Sequence, residues 1–167
     1  MMTFRTATST AKGAGRVATL AIALVIGAGL APTAHADPTV PDQPQCVDNS
    51  GGLPSAGEQV TCGFPVENRD DVPYKNITVT LGLPRSNGSP KATKYVSSNG
   101  TFDGDKAVFR RDVLNPSEIF VATLVFTIKP NTPAETRLNA IGGYGFTRPN
   151  GTVGGVDGGY TVVVFAQ

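Results

Sequence analysis

"PVENRDDVPYKNITVTLGLP", residues 65–84, decides how the chain folds. After its turn, Ile77, Val79, Leu81 and Leu83 alternate with polar or small neighbours, and before it Val60, Cys62, Phe64 and Val66 do the same. A period of two over four repeats predicts two half-buried β-strands, each with one face in a core. Between them lie three carboxylates, Glu67, Asp70 and Asp71. Asp and Asn side chains bond their own backbone in turns, so Asp71-Val72-Pro73 reads as the hairpin joining the two strands. The competing reading is calcium, which takes about six to eight oxygens. Asp103 and Asp105 of "FDGDK" could add to the three carboxylates if that turn lies at the same end of the fold. Neither stretch has the spacing of an EF-hand loop, so no metal ligand and no cofactor is assigned.

Outward from this pair the pattern continues. "EIFVATLVFTIKP", residues 118–130, is the longest apolar run and predicts a central strand with Phe120, Ala122, Leu124, Phe126 and Ile128 on its inner face, ended by Pro130. Weaker signals over 91–111 offer Tyr95, Val96, Phe102, Val108 and Phe109 as inward residues of short strands. "ETRLNAIGGYGFT" and "GGYTVVVFAQ" supply the last two strands, and no stretch keeps a 3.6-residue period long enough for a helix. About seven strands separated by turn signals predict an all-β fold, a single Ig-like β-sandwich over residues 58–167. Residues 37–57 form a Pro/Gly-rich extended arm with a short first strand around Cys46-Val47.

Residues 1–36 read as a secretory signal peptide. Arg5, Lys12 and Arg16 are the basic region, Val17 to Leu30 the apolar region, and Ala34-His35-Ala36 the small-x-small site, cut between Ala36 and Asp37. Fourteen apolar or small residues fall short of the roughly 20 that span a bilayer. No membrane insertion is expected after cleavage, and the expected location is secreted, extracellular or cell-envelope associated. The Ala/Thr/Gly-rich leader resembles those of actinobacterial, particularly mycobacterial, exported proteins.

Cleavage would remove His35, Met1 and Met2, and the chain has no Trp. A mature chain without histidine excludes Ser-His-Asp and Cys-His nucleophiles and His-containing zinc sites, and no catalytic residue is assigned. Its charge is 11 Lys+Arg, the 14 less three in the leader, against 13 Asp+Glu. Without a concentrated basic surface, nucleic acid is not an expected partner. Cys46 and Cys62 are bound for an oxidising compartment, and an even count there predicts a disulfide between them.

Two features remain. Residues 142–160, "GGYGFTRPNGTVGGVDGGY", hold eight glycines. One reading is a long mobile hairpin loop; the other is an end loop presenting Tyr144, Phe146 and Arg148 on one strand face to a partner. Four Asn-x-Ser/Thr sequons occur, at Asn76, Asn87, Asn99 and Asn150, and three of them are Asn-Gly, the pair preferred in two-residue type I′ hairpins.

With the strands placed, "FPVENRDDVPYKNITVTLGLP" resembles the signature of the conserved Ig-like repeat domains of bacterial surface proteins, related to the bacterial cell-adhesion-related domain. The matching residues are the strand-ending Asn68 and the closing Leu83-Pro84. "VLNPSEIFVATLVFTIKP" is similar to that family's Leu-x-Pro-Gly-Glu turn and long strand through Leu114, Pro116 and Glu118, with Ser117 where Gly is usual. The resemblance implies a non-catalytic module for binding or structural association with a protein or cell-envelope component. The alternative is an inhibitor of a secreted hydrolase, using the loop "VDNSGGLPSAGEQVT" braced by Cys46 and Cys62.

Overall fold

The computed structural model describes residues 36–86 and 92–166, so the expected leader, apart from Ala36, and the Asn87-Gly88 pair lie outside the described residues. Among these residues there is no helix. Ten strands run in chain order: β1 (Gln45–Asp48), β2 (Gln59–Glu67), β3 (Tyr74–Gly82), β4 (Arg85–Ser86), β5 (Thr93–Ser98), β6 (Thr101–Asp103), β7 (Lys106–Leu114), β8 (Ile119–Ile128), β9 (Arg137–Thr147) and β10 (Val153–Val163). The alternation predicts about seven; seven are six residues or longer, and three short ones, among them the expected first strand at Cys46-Val47, bring the number to ten.

The strands form two antiparallel sheets, one ordered β1-β2-β8-β5 and the other β10-β9-β3-β7-β6, with β4 extending the second beside β9. Facing positions fill the space between them. Val60, Cys62, Phe64 and Val66 from β2 and Leu124, Phe126 and Ile128 from β8 meet Ile77, Val79 and Leu81 from β3 with Phe109 from β7, all buried. This is the Ig-like sandwich expected from the period-two pattern, because each sheet hides one face and exposes the other. The disulfide forms as expected, with Cys46 opposite Cys62 across β1 and β2 at a Cα separation of 4.1 Å.

The turn after β2 is not the hairpin its sequence suggests. β2 pairs with β1 and β8 while β3 pairs with β7 and β9, so residues 68–73 carry the chain from one sheet to the other. Alternation marks a strand without naming its partner, and a local turn signal cannot tell a hairpin from a corner between sheets. The corner is built on Asn68, which is fully buried. Its Nδ2 donates to the carbonyls of Val72 and Leu114, both at 2.9 Å, and its Oδ1 accepts from the Asp70 N–H at 2.9 Å.

Three further expectations need correction. Val96 is exposed, at a register irregularity between Tyr95 and Ser97, and Val108 points away from the core because its neighbours Ala107 and Phe109 point in. Asn99-Gly100 does not close a hairpin, since β5 and β6 belong to different sheets. Asn150-Gly151 does sit in one, but only Gly151 has positive φ, so the turn is not type I′. The glycine-rich stretch is strand rather than a long loop: β9 runs to Thr147 and β10 starts at Val153 in unbroken register, leaving only residues 148–152 as the connection.

Candidate functional site

The β9–β10 hairpin and the arm that reaches it form the most distinctive part of the surface. Tyr144 and Phe146 lie on the inner face of β9, and Arg148 follows at the same two-residue spacing just past its end. Phe146 is buried, so it is withdrawn from any partner-facing role: its ring meets Tyr74 edge-on at 5.5 Å and lies parallel to Tyr144 at 6.1 Å. Tyr144 is half-buried, and the Arg148 guanidinium rests 5.2 Å from the Phe146 ring centre. The inner face is where hydrophobic rings go when two sheets pack, which is why the partner-facing reading does not hold for Phe146.

The glycines explain how these rings fit. A Cβ on Gly154 would come within 2.5 Å of the Phe146 ring, and one on Gly142 within 3.2 Å of Tyr160. Gly155 has φ +140°, where a Cβ would meet the Tyr144 carbonyl at 2.2 Å. The stretch is glycine-rich because backbones and aromatic rings approach closely there.

The arm closes over this end. Thr39 bridges Glu67 ahead of β1, and residues 40–44, with Pro41 and Pro44, lead from that bridge to the start of β1. They cover a cavity of about 190 Å³ whose lining includes Val40, Pro44, Phe64, Leu81, Tyr144 and Tyr160. The Tyr160 hydroxyl donates to the Gly82 carbonyl at 2.6 Å, and burial pushes its pKa up. At the start of the arm, Asp37 takes a bidentate pair from Arg148, Nε to Oδ1 at 2.6 Å and Nη2 to Oδ2 at 2.8 Å. Arg148 thereby holds the Asp37 carboxyl below its ordinary range, and Asp37 raises Arg148 in turn. Beside them the Tyr74 hydroxyl reaches the Asp70 carboxylate at 2.7 Å and the Ala36 carbonyl. Burial, then the Asp70 carboxylate, pushes the Tyr74 phenol up.

The outer edge of β10 is the second element of the site. Arg148 N–H donates to the Thr152 carbonyl at 2.8 Å and Val164 N–H to that of Thr136 at 3.0 Å, one at each end of the β9–β10 ladder. Antiparallel ladders alternate, so even-numbered residues of β10 bond β9 and odd-numbered ones direct their N–H and C=O groups away from it. Among the described residues β10 pairs with β9 alone, leaving an 11-residue edge with one charge, Asp157, and no proline or lysine. The other edges are blunted. β1 is four residues long and preceded by prolines, β5 carries Lys94 and an irregular register, and β6 has three residues.

The acidic stretches do not converge. The corner at 68–73 precedes the start of β3 and the Gly104-Asp105 turn sits beside its end, where Gly82 pairs with Lys106. Nine strand residues hold them roughly 26 Å apart. Glu67 pairs with Arg69 at 2.7 Å, and Asp105 with Arg85 at 3.0 Å. In the disulfide-braced loop, Asp48 Oδ1 accepts from the N–H groups of Ser50 and Gly52 and the Ser50 hydroxyl, a self-contained turn beside an exposed Leu53. Sequence reasoning missed the Asp37–Arg148 clamp, whose members are 111 residues apart, and the β10 edge, because strand order is not written in a period.

No family model matches the chain, and no curated protein is similar to it. Among solved structures it is similar to BcpA, the major pilin subunit of Bacillus cereus. A D312A form superposes with a TM-score of 0.55 at 15% identity, covering 77% of this chain and 40% of the pilin. BcpA itself superposes with a TM-score of 0.50 at 18% identity, over the same shares of each chain. The chain thus spans about two fifths of the pilin's length, and what the two share is the fold. Among the described residues no helix is long and apolar enough to cross a membrane.

Proposed function

We propose that the chain is an exported, non-catalytic Ig-like module of the bacterial surface-domain type, acting in the cell envelope or extracellular space by association with a protein. The contact is the outer edge of β10, to which the partner adds an extended segment as a further strand. The long unpartnered edge carries this reading, since backbone groups aligned along a strand are a template for another chain. Its glycines leave room for a partner backbone to approach, and Asp157 is its one charged side chain. Tyr144 and Arg148, behind the same hairpin, hold it in place. The fold shared with a pilin subunit supports a structural or adhesive role, and the leader supports export.

The test is site-specific photo-crosslinking in the full chain, exported from an actinobacterial host, with the probe at Asp157 on β10 or at Val121 on the outer face of the other sheet. A protein adduct at 157 and none at 121 is expected. Thr161→Pro, which removes an outward N–H and, of the bonds to β9, only the exposed side-chain bond from the Thr161 hydroxyl to Asn139, should abolish the adduct while leaving the thermal melt within a few degrees. Equal adducts at both positions, or an adduct indifferent to Thr161→Pro, would place the partner elsewhere.

A further inference from the structure

We infer that the corner between β2 and β3 contains a binding site for the chain's own new N-terminus, built from Asp70 and Tyr74 and occupied by the α-ammonium of Asp37 once the leader is removed. The inference rests on the leader reading and is independent of the β10 edge. It joins two observations reached separately: the sequence places the cut between Ala36 and Asp37, and the structure fixes the residues on both sides of that bond. The Ala36 carbonyl is a partner of the Tyr74 hydroxyl, and the Asp37 carboxylate is clamped by Arg148.

The chemistry of the cut supplies what the site recognises. A peptidase adds water across the amide; Ala36 departs with a carboxylate, and Asp37 keeps the nitrogen, which takes a proton to become an ammonium. In a peptide the carbonyl oxygen and the amide nitrogen share one carbon and lie about 2.2 Å apart. The new ammonium therefore forms next to the position now held by the Ala36 oxygen, beside the Tyr74 hydroxyl, which in turn contacts the Asp70 carboxylate at 2.7 Å. The phenol oxygen and the carboxylate are both acceptors, so the site suits a cation with several N–H donors better than the neutral amide it replaces.

Charge points the same way. Among the described residues, the groups around this position include the carboxylates of Asp37 and Asp70, the guanidinium of Arg148 and the Tyr74 phenol; Glu67 and Arg69 nearby pair with each other. Cleavage adds a positive charge beside these groups. The consequence is an arm anchored twice at its first residue, by carboxylate and by ammonium, in the exported form alone. Export would thus complete the closure of the arm over the cavity beside β10.

The experiment measures the exported protein, not a fragment. Intact mass comes first, with a start at Asp37 expected; a different start overturns the leader reading and this inference with it. Acylation of the α-amino group is then followed against pH. Pairing with Asp70 should raise its pKa above the ordinary range of about 7.7–8.0, making labelling at pH 7.5 roughly tenfold slower than for an unpaired amine. Asp70→Asn should restore the ordinary rate. So should insertion of one glycine between Ala36 and Asp37, which shifts the ammonium by one residue, about 3.8 Å, and leaves the Asp37–Arg148 pair in place. A chain that begins at Asp37 yet labels as fast as either variant overturns the site while leaving the leader reading intact.

Discussion

The backbone N–H of Ser117 donates to the Asn68 carbonyl at 2.8 Å, tying the β7–β8 turn to the corner where the chain crosses between sheets. Glu118 N–H closes the turn on the Asn115 carbonyl at 3.0 Å, with Pro116 second and Ser117 third at φ 62°. That is the arrangement of a type II turn, whose third position favours glycine. The motif resemblance noted Ser117 where Gly is usual, and the backbone angle supplies the reason. Ser117→Gly should stabilise the protein by about 1 kcal/mol, a rise of roughly 4 °C in Tm, while Ser117→Val should lower it. Thermal melts of the two variants decide the point; a glycine variant no more stable than wild type would remove the strain argument.

Asn68 is the harder position to change. Its side chain satisfies two carbonyls and one N–H in a site with no exposure, so Asn68→Ala would strand the Leu114 carbonyl in the core. A loss of about 3 kcal/mol is expected, read from the shift of a urea midpoint at unchanged slope. A change below 1 kcal/mol would mean that the corner is held by its backbone bonds alone.

How much of this was legible beforehand follows from what each signal encodes. The alternating residues from Val60 to Val66, Ile77 to Leu83 and Phe120 to Ile128 fall on their inner faces because burial repeats with the pleat. The Cys46–Cys62 pair is legible because an even cysteine count in a chain with an export-like leader leaves little choice. The partner of each strand is another matter. Residues 65–84 read as a hairpin and are a crossover, since the decisive contacts, Asn68 with Leu114 and Glu118, lie 46 and 50 residues along the chain. The partner-facing reading of Tyr144, Phe146 and Arg148 turns Phe146 outward although it is buried, because period two gives a face without saying which face is covered.

Truncation of Phe126 tests the core. It is fully buried in β8, opposite Val60 on one side and Tyr95 on the other. Phe126→Ala should cost about 3–5 kcal/mol, whereas Val121→Ala, on the exposed face of the same strand, should stay within about 0.5 kcal/mol. Similar losses at both would contradict the two-faced reading of β8.

Acid should loosen the arm before it unfolds the sheets. Arg148 lowers the Asp37 carboxyl, so that pair contributes fully above the ordinary carboxylate pKa and is lost as pH falls through the depressed native value. Glu118, lowered by the Asn115 backbone N–H and by Arg111, behaves in the same sense. Both groups are on the surface, so added salt should weaken the effect. Near pH 3, amide exchange at residues 38–44 should accelerate ahead of exchange in β2 and β8. Simultaneous acceleration everywhere would show that the Asp37–Arg148 pair does not anchor the arm.

The glycines of the last hairpin should not be interchangeable. A mobile loop would accept alanine anywhere, but here each position meets something different. Gly155 combines φ +140° with a carbonyl 2.2 Å from where a Cβ would stand, and Gly154 faces the Phe146 ring at 2.5 Å. Gly158 has nothing within 4 Å. Gly155→Ala should therefore cost at least 2 kcal/mol, roughly the strain of a forbidden backbone angle plus a clash, and Gly154→Ala about 1–3 kcal/mol through displacement of the ring. Gly158→Ala should be neutral or slightly stabilising, because alanine restricts the unfolded chain. Melting temperatures in the order Gly158→Ala, Gly154→Ala, Gly155→Ala from highest to lowest are expected. A flat series would return residues 153–159 to the mobile loop that their composition first suggests, and would remove the paired β10 on which the proposed partner edge depends.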